Sequence, residues 1–194
     1  MNKAVLIPIR PEWCAKIMTG EKTIELRKTK PKIPTPFRCY IYETRGFQRV
    51  GNENLNCVVG GKGRGAVIGE FICDQIEGVA VAFNGGSGPL KAIGGNEVWF
   101  DGAVERLACL STEEICRYVG GIGGRGYGWH ISSLKVYDEP KKLSEFSALC
   151  PRVYCQDTCP QWKHNHCDRL NNGVHPVTRP PQSWMFVEER GGES

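Results

Sequence analysis

Short apolar stretches separated by glycine and proline recur along the chain and predict a mostly β protein with two helices. Val5 to Ile9 is an apolar run of strand length. Pro11 suits the first turn of a helix reaching about Thr19, where Gly20 supplies the stop. In that helix Trp13, Ala15 and Ile17 are expected inside, with Glu12 and Lys16 toward water. From Thr23 to Thr29 the period is two: Ile24 and Leu26 share one face, and Thr23, Glu25 and Arg27 share the other. Pro31, Pro34 and Pro36 make a stiff loop, after which Phe37 to Glu43 reads as a strand. Ala66 to Ala82 is one long strand, or two with Gly78 between them. Ser111-Thr112-Glu113-Glu114 followed by Ile115 and Tyr118 is a capping-box helix start, and Gly120-Gly121 ends that helix. Trp129 to Tyr137 alternates as a strand, and Trp184 to Val187 supplies a final one. Many short strands with two helices fit a small barrel better than alternating βαβ units, so the expected fold class is α+β, mostly β.

Two glycine-rich stretches, 46–65 and 84–102, carry little periodicity. The first ends Gly60-Gly61-Lys62-Gly63-Arg64-Gly65, which lacks the Gly-Lys-Ser/Thr ending of a phosphate-binding loop and reads as a hairpin tip or a loop. The length of 194 residues fits one decorated domain. We expect a barrel over 1–149, a cysteine-rich insertion over 150–170, and a segment over 171–194 whose final strand closes the barrel. No apolar run approaches the roughly 20 residues of a membrane span. The Met1-Asn2-Lys3 start leads into an apolar run too short for a signal-peptide core, so a cytoplasmic location without membrane contact is expected. Charge is uneven. From Arg10 to Arg49 there are ten Lys/Arg against four acids, and from Val50 onward fourteen against seventeen. A basic stripe including Lys28, Lys30, Lys32 and Arg38 suits attraction to a phosphate backbone, or serves only as a soluble face.

The octapeptide Gly20-Glu21-Lys22-Thr23-Ile24-Glu25-Leu26-Arg27 sets a carboxylate and a guanidinium side by side on one strand face, with Lys22 entering from the turn. By spacing alone this is equally a solvated face with a weak surface ion pair. The pattern Gly-x-Lys-x-x-Glu-x-Arg resembles the signature of the ASCH domain family, PUA-like β-barrels related by fold to RNA-binding PUA domains. The likeness extends to Ile9-Arg10-Pro11-Glu12-Trp13, to Val67-Ile68-Gly69-Glu70-Phe71, to Gly128-Trp129-His130-Ile131 and to Arg179-Pro180-Pro181-Gln182-Ser183-Trp184. This wider set is similar to bacterial and phage ASCH proteins that carry a cysteine-rich insertion.

The resemblance implies a cleft between the first helix and the barrel, lined by Lys22, Glu25 and Arg27, with Arg10 and Trp13 near its rim. Beside it stand residues chosen for their chemistry. Trp129, His130 and Trp184 follow turns and can present flat rings to an unpaired base, and Gln182 has the donor and acceptor that read a base edge. Core packing is the competing role for both tryptophans. The leading functional expectation is a nucleic-acid-binding module for RNA, or for a modified or unpaired nucleotide. The alternative is a hydrolase acting on an acylated cytidine or RNA, because some small ASCH proteins are amidohydrolases using a Lys, a Thr and a Glu. Lys22 matches their lysine, with Lys22 and Glu25 then catalytic, but Glu25 stands where their nucleophilic threonine belongs. Thr23, one residue from Lys22, should point to the side away from that lysine if both are extended. A third expectation is an adaptor that binds a host or partner protein through its loops.

Cys150, Cys155, Cys159 and Cys167 place four thiols within eighteen residues, with His164 and His166 inside the last gap. Four soft ligands on a loop of low apolar content suit one tetrahedral structural zinc, with a histidine replacing one cysteine as the rival set. The other six cysteines are scattered, as buried thiols are. Elemental analysis of protein purified without added zinc should find about one zinc per chain, and Cys155→Ser should lower it. Less than half an equivalent, together with a fold untouched by strong chelator, would remove the zinc.

Overall fold

The computed structural model of the chain describes residues 3–50, 57–60, 63–83, 90–94, 103–149 and 174–189. In order the elements are β1 (Lys3–Ile9), α1 (Pro11–Met18), β2 (Ile24–Arg27), β3 (Phe37–Glu43), β4 (Phe47–Val50), β5 (Cys57–Gly60), β6 (Ala66–Cys73), β7 (Ile76–Phe83) and β8 (Leu90–Gly94). They continue with α2 (Ala103–Ala108), α3 (Thr112–Val119), β9 (Arg125–His130), β10 (Ser132–Lys141), a 3-10 turn (Leu143–Glu145), β11 (Ser147–Leu149), β12 (Val174–Pro176) and β13 (Met185–Glu188). The α+β, mostly β expectation holds. The closed barrel does not: the described strands form open sheets of seven, four and two strands.

Two compact units divide the chain. The first comprises Met1–Pro11, Arg38–Glu70 and Lys135–Ser194. Its seven-stranded sheet runs in the order β10-β6-β3-β1-β13-β11-β12. β13, expected to close a barrel, pairs antiparallel with β1 inside this open sheet, from Lys3↔Glu188 to Leu6↔Met185. β1 and β3 are parallel, which requires the long excursion of residues 10–36 between them. Ala4, Leu6, Tyr40, Phe146 and Val187 belong to one buried apolar cluster. Arg38 bonds to Glu70 and, at 3.1 Å, to Glu189, while Tyr137 donates to Glu70 at 2.6 Å. Burial and the Glu70 carboxylate push the Tyr137 hydroxyl up.

The second unit, Glu12–Phe37 with Phe71–Leu134, contains the antiparallel sheet β2-β9-β7-β8. One face of that sheet places Leu26, Val79 and Val81 against Val104 of α2 and Ile115 and Val119 of α3. Gly126 on β9 permits this close approach, since a Cβ there would meet Val119 Cγ1 at 3.1 Å and the Arg27 carbonyl oxygen at 3.2 Å. The ladder pairs Glu25 with Trp129 and Arg27 with Tyr127, so these four residues share the opposite face.

Several local expectations change. The 66–82 stretch breaks at residues 74–75 instead of at Gly78, which lies inside β7 opposite Tyr127. The 129–137 strand is two strands that meet at Ile131. In α1 the inward residues are Cys14 and Ile17, whereas Ala15 is exposed and Trp13 half-buried. The short helix α2 had no sequence signal beyond six residues of helix-forming type. Among the described residues no helix is long and apolar enough to cross a membrane. The expected zinc ligands Cys150, Cys155, Cys159 and Cys167, with His164 and His166, lie outside the described residues. Among those described, no group of three His, Cys, Asp or Glu residues could hold a metal.

The capping box is present as read. Ser111 Oγ accepts from the Glu114 amide at 3.2 Å, the Glu114 carboxylate accepts from the Ser111 amide at 2.8 Å, and Gly120 ends α3 at φ 101°. Ser111→Ala should therefore cost about 1 kcal/mol of stability, read from urea unfolding midpoints, with no change in the denaturant slope.

Candidate functional site

α1 ends at Met18, and the chain reverses through Gly20, whose φ of 77° favours glycine. The Gly20 amide bonds to the Ile17 carbonyl and the Lys22 amide to the Lys16 carbonyl, each at 3.0 Å. Thr23 then donates to the Leu107 carbonyl of α2 at 2.9 Å. This tight return puts the Lys22 side chain under the helix it has just left and aims it at the end of α2.

There Lys22 is 2% exposed, with Glu25 and Arg27 each 7% exposed. The Lys22 ammonium donates to the Ala108 carbonyl at 2.7 Å, sits 3.4 Å from Glu25 Oε2, and lies 5.4 Å from the centre of the Trp13 ring. The other carboxylate oxygen, Glu25 Oε1, is 3.0 Å from Arg27 Nη2. One carboxylate therefore bridges two cations away from water, and the solvated-face reading of the octapeptide is replaced by a buried charge chain. Burial is the main cause that lowers the Lys22 pKa, and the Glu25 carboxylate works against it. The Ala108 oxygen is one of the carbonyls at the C-terminal end of a helix, the end that favours a cation.

Neighbouring residues that sequence reasoning missed complete the surroundings. Cys109, half-buried after α2 at φ 54°, acts electrostatically to raise the Lys22 pKa. On α3, burial raises the Tyr118 pKa; the Arg27 guanidinium opposes that shift and the Glu25 carboxylate adds to it. Lys28 Nζ lies 5.5 Å from the Tyr118 ring and Lys30 Nζ 5.3 Å from the Tyr127 ring. Only the spacing of Lys28 and Lys30 after the signature hinted at these pairs; their aromatic partners are distant in sequence.

Of the residues read from the sequence, Trp13, Lys22, Glu25 and Arg27 come together. Trp129 stands opposite Glu25 in the ladder but is 0% exposed and meets Phe37 edge-on at 5.8 Å, a core position and not an open stacking surface. His130 is half-buried with Nε2 3.7 Å from Glu77. Arg10, Gln182 and Trp184 belong to the first unit, the first two exposed and Trp184 half-buried beside Phe186, with ring centres 5.4 Å apart.

The chain aligns over 96% of its length with 88% of the crystal structure of ASCH from Zymomonas mobilis, at 19% identity and a TM-score of 0.52. A tyrosine-to-phenylalanine variant of that protein aligns over 96% of this chain and 91% of its own, at 17% identity and a TM-score of 0.48. A serine-to-alanine variant gives 96%, 89%, 16% and 0.45 for the same four measures. At 19% identity the first likeness shows the fold alone, an α+β arrangement shared with that ASCH structure. No family model matches the sequence, and no curated protein matches it.

Removing the central carboxylate should leave two buried cations facing each other, so Glu25→Gln should destabilise by about 3–5 kcal/mol. Lys22 gives a pH signature. Its folded pKa lies below the ordinary 10.5, so between the two values the unfolded chain holds more protons and stability from this group rises with pH. Below the folded pKa both states are protonated and the contribution is flat. The gap in urea midpoint between wild type and Lys22→Met should thus shift in favour of wild type as pH climbs toward 10.5. A constant gap would contradict the burial effect.

Proposed function

We propose that this chain is an ASCH-type nucleic-acid-binding protein that takes an unpaired or modified nucleotide of RNA at the Trp13, Lys22, Glu25 and Arg27 cluster. The observation that carries this reading is the buried carboxylate held between two cations beside an indole. A carboxylate is acceptor-only and suits the exocyclic amino group of a base. An arginine beside it offers a planar fork to phosphate or to base acceptors, and a half-buried tryptophan offers a stacking face. Lys22 is already committed to Ala108, Glu25 and Trp13, which makes it the residue that holds Glu25 in place. The ASCH-like fold and the basic 10–49 segment support the same conclusion. The proposed zinc over 150–167 would serve shape only, because four protein ligands leave no open coordination position.

A hydrolytic role for the same cluster is the second reading, favoured by one observation: a buried lysine of lowered pKa, 3.4 Å from a carboxylate. In that role Glu25 takes a proton from water as its oxygen bonds to an acyl carbon or a phosphorus, and protonated Lys22 stabilises the developing negative charge. The proton on Glu25 passes to the departing amine or ribose oxygen as the C–N or P–O bond breaks.

Titration with cytidine derivatives and short single-stranded RNAs should move NMR signals of Trp13, Glu25 and Arg27, and affinity should fall steeply with salt. Arg27→Gln should weaken binding about tenfold or more, as loss of a charge-assisted contact does. Flat salt dependence with silent signals would reject the binding reading. Turnover of an acylated cytidine that Lys22→Met abolishes would replace it with the hydrolase.

A further inference from the structure

Beyond the cluster, the chain leaves β2 at Arg27 and continues through Lys28, Thr29 and Lys30, and these two exposed lysines each lie over an aromatic ring from elsewhere in the second unit. Lys28 lies over Tyr118 on α3 at 5.5 Å, and Lys30 lies over Tyr127 on β9 at 5.3 Å. Tyr127 is the direct ladder partner of Arg27, and Tyr118 is within electrostatic reach of the same guanidinium. The two rings therefore flank the strand end where the buried charge chain stops. On the other side of Tyr127 the ladder partner is Gly78, where an added Cβ would meet no atom within 4 Å among the described residues. Arg125, two positions before Tyr127 on β9, is exposed and lies on the same face.

We propose that Lys28, Lys30, Tyr118 and Tyr127 form a track for at least two further nucleotides of a single-stranded nucleic acid, leading out from the nucleotide site. The inference rests on the binding reading above and extends it from one nucleotide to a strand. An ammonium over a ring face is a cation–π contact that a base can displace, since every base has a π face of its own. The displaced lysine then meets the backbone phosphate that arrives with the base. Each ring and lysine pair thus matches one nucleotide unit, aromatic plus anion. An acidic peptide supplies the anion but leaves the rings without a stacking partner. The gap at Gly78 gives a base on Tyr127 room to overhang the ring.

The test uses the full chain and three probes: cytidine monophosphate, a labelled cytidine tetranucleotide, and polyglutamate of equal charge. The tetranucleotide should bind at least tenfold more tightly than the monophosphate at low salt. Lys28→Gln with Lys30→Gln should remove most of that advantage and lower the salt slope of the tetranucleotide by about 1.4, from 0.7 per lost charge. Both lysines are exposed, so the fold should survive, which circular dichroism checks. Tyr118→Ala should weaken the tetranucleotide about fivefold or more. Tyr127→Leu, which keeps the half-buried apolar volume, should do the same. Equal affinity for monophosphate and tetranucleotide overturns the track and leaves the nucleotide site standing. A tighter tetranucleotide that ignores all four substitutions places the strand elsewhere and also overturns it. Polyglutamate competing as well as the tetranucleotide would make the surface a site for acidic protein. Binding of neither cytidine probe would bring down the nucleotide site and the track together.

Discussion

The second unit is organised around one electrostatic constraint: a carboxylate buried between two cations must keep both. Moving charges out of water costs several kcal/mol per ion, and only close opposite charges and further hydrogen bonds offset it. Glu25 holds Lys22 and Arg27 at 3.4 and 3.0 Å, and Lys22 also donates a hydrogen bond to a helix-end carbonyl. That arrangement requires the reversal at Gly20, the position of α2 and the pairing of β2 with β9. Shifting β2 by one residue would turn Glu25 and Arg27 into the apolar face that Leu26 shares with α2 and α3. The charge chain therefore makes any other register costly.

A buried charge chain is an expensive way to hold a strand, and apolar side chains of similar volume often stabilise as well or better. Its presence here is understandable if the charges serve a ligand. Glu25 and Arg27 keep a little exposure, and Trp13 keeps more, so the inner end of the chain is structural while its outer end remains reachable. The lysine and tyrosine pairs at the end of β2 continue the same chemistry at the surface, where the cost of holding charge is small.

Much of the local structure was legible. Pro11, Gly20, the Ser111 to Glu114 box and Gly120 sit where the structure starts and stops α1 and α3, because caps act within one or two turns. The strand around Ile24 followed from period two, Phe37–Glu43 from its aromatic and β-branched residues, and the final strand begins one residue after the expected Trp184. Less was legible where the signal is not local. Residues 129–137 alternate without interruption, yet the chain divides them because Ile131 ends pairing with one sheet and Ser132 begins in another. Trp129 followed a glycine and read as a ring at a strand end, but a neighbour far away in sequence, Phe37, covers it.

The sequence by itself determined the fold class, the cap-defined helices and the grouping of Lys22, Glu25 and Arg27, because a turn followed by an extended strand sets the spacing of side chains within a few residues. Tertiary structure alone decided that these charges are buried, that the Ala108 carbonyl accepts from the lysine, and that Tyr118 and Tyr127 meet Lys28 and Lys30. It also decided that the described strands stay in open sheets. Ala108, Tyr118 and Tyr127 each lie eighty or more residues from the lysine they meet, and no short-range pattern of polarity encodes such pairings.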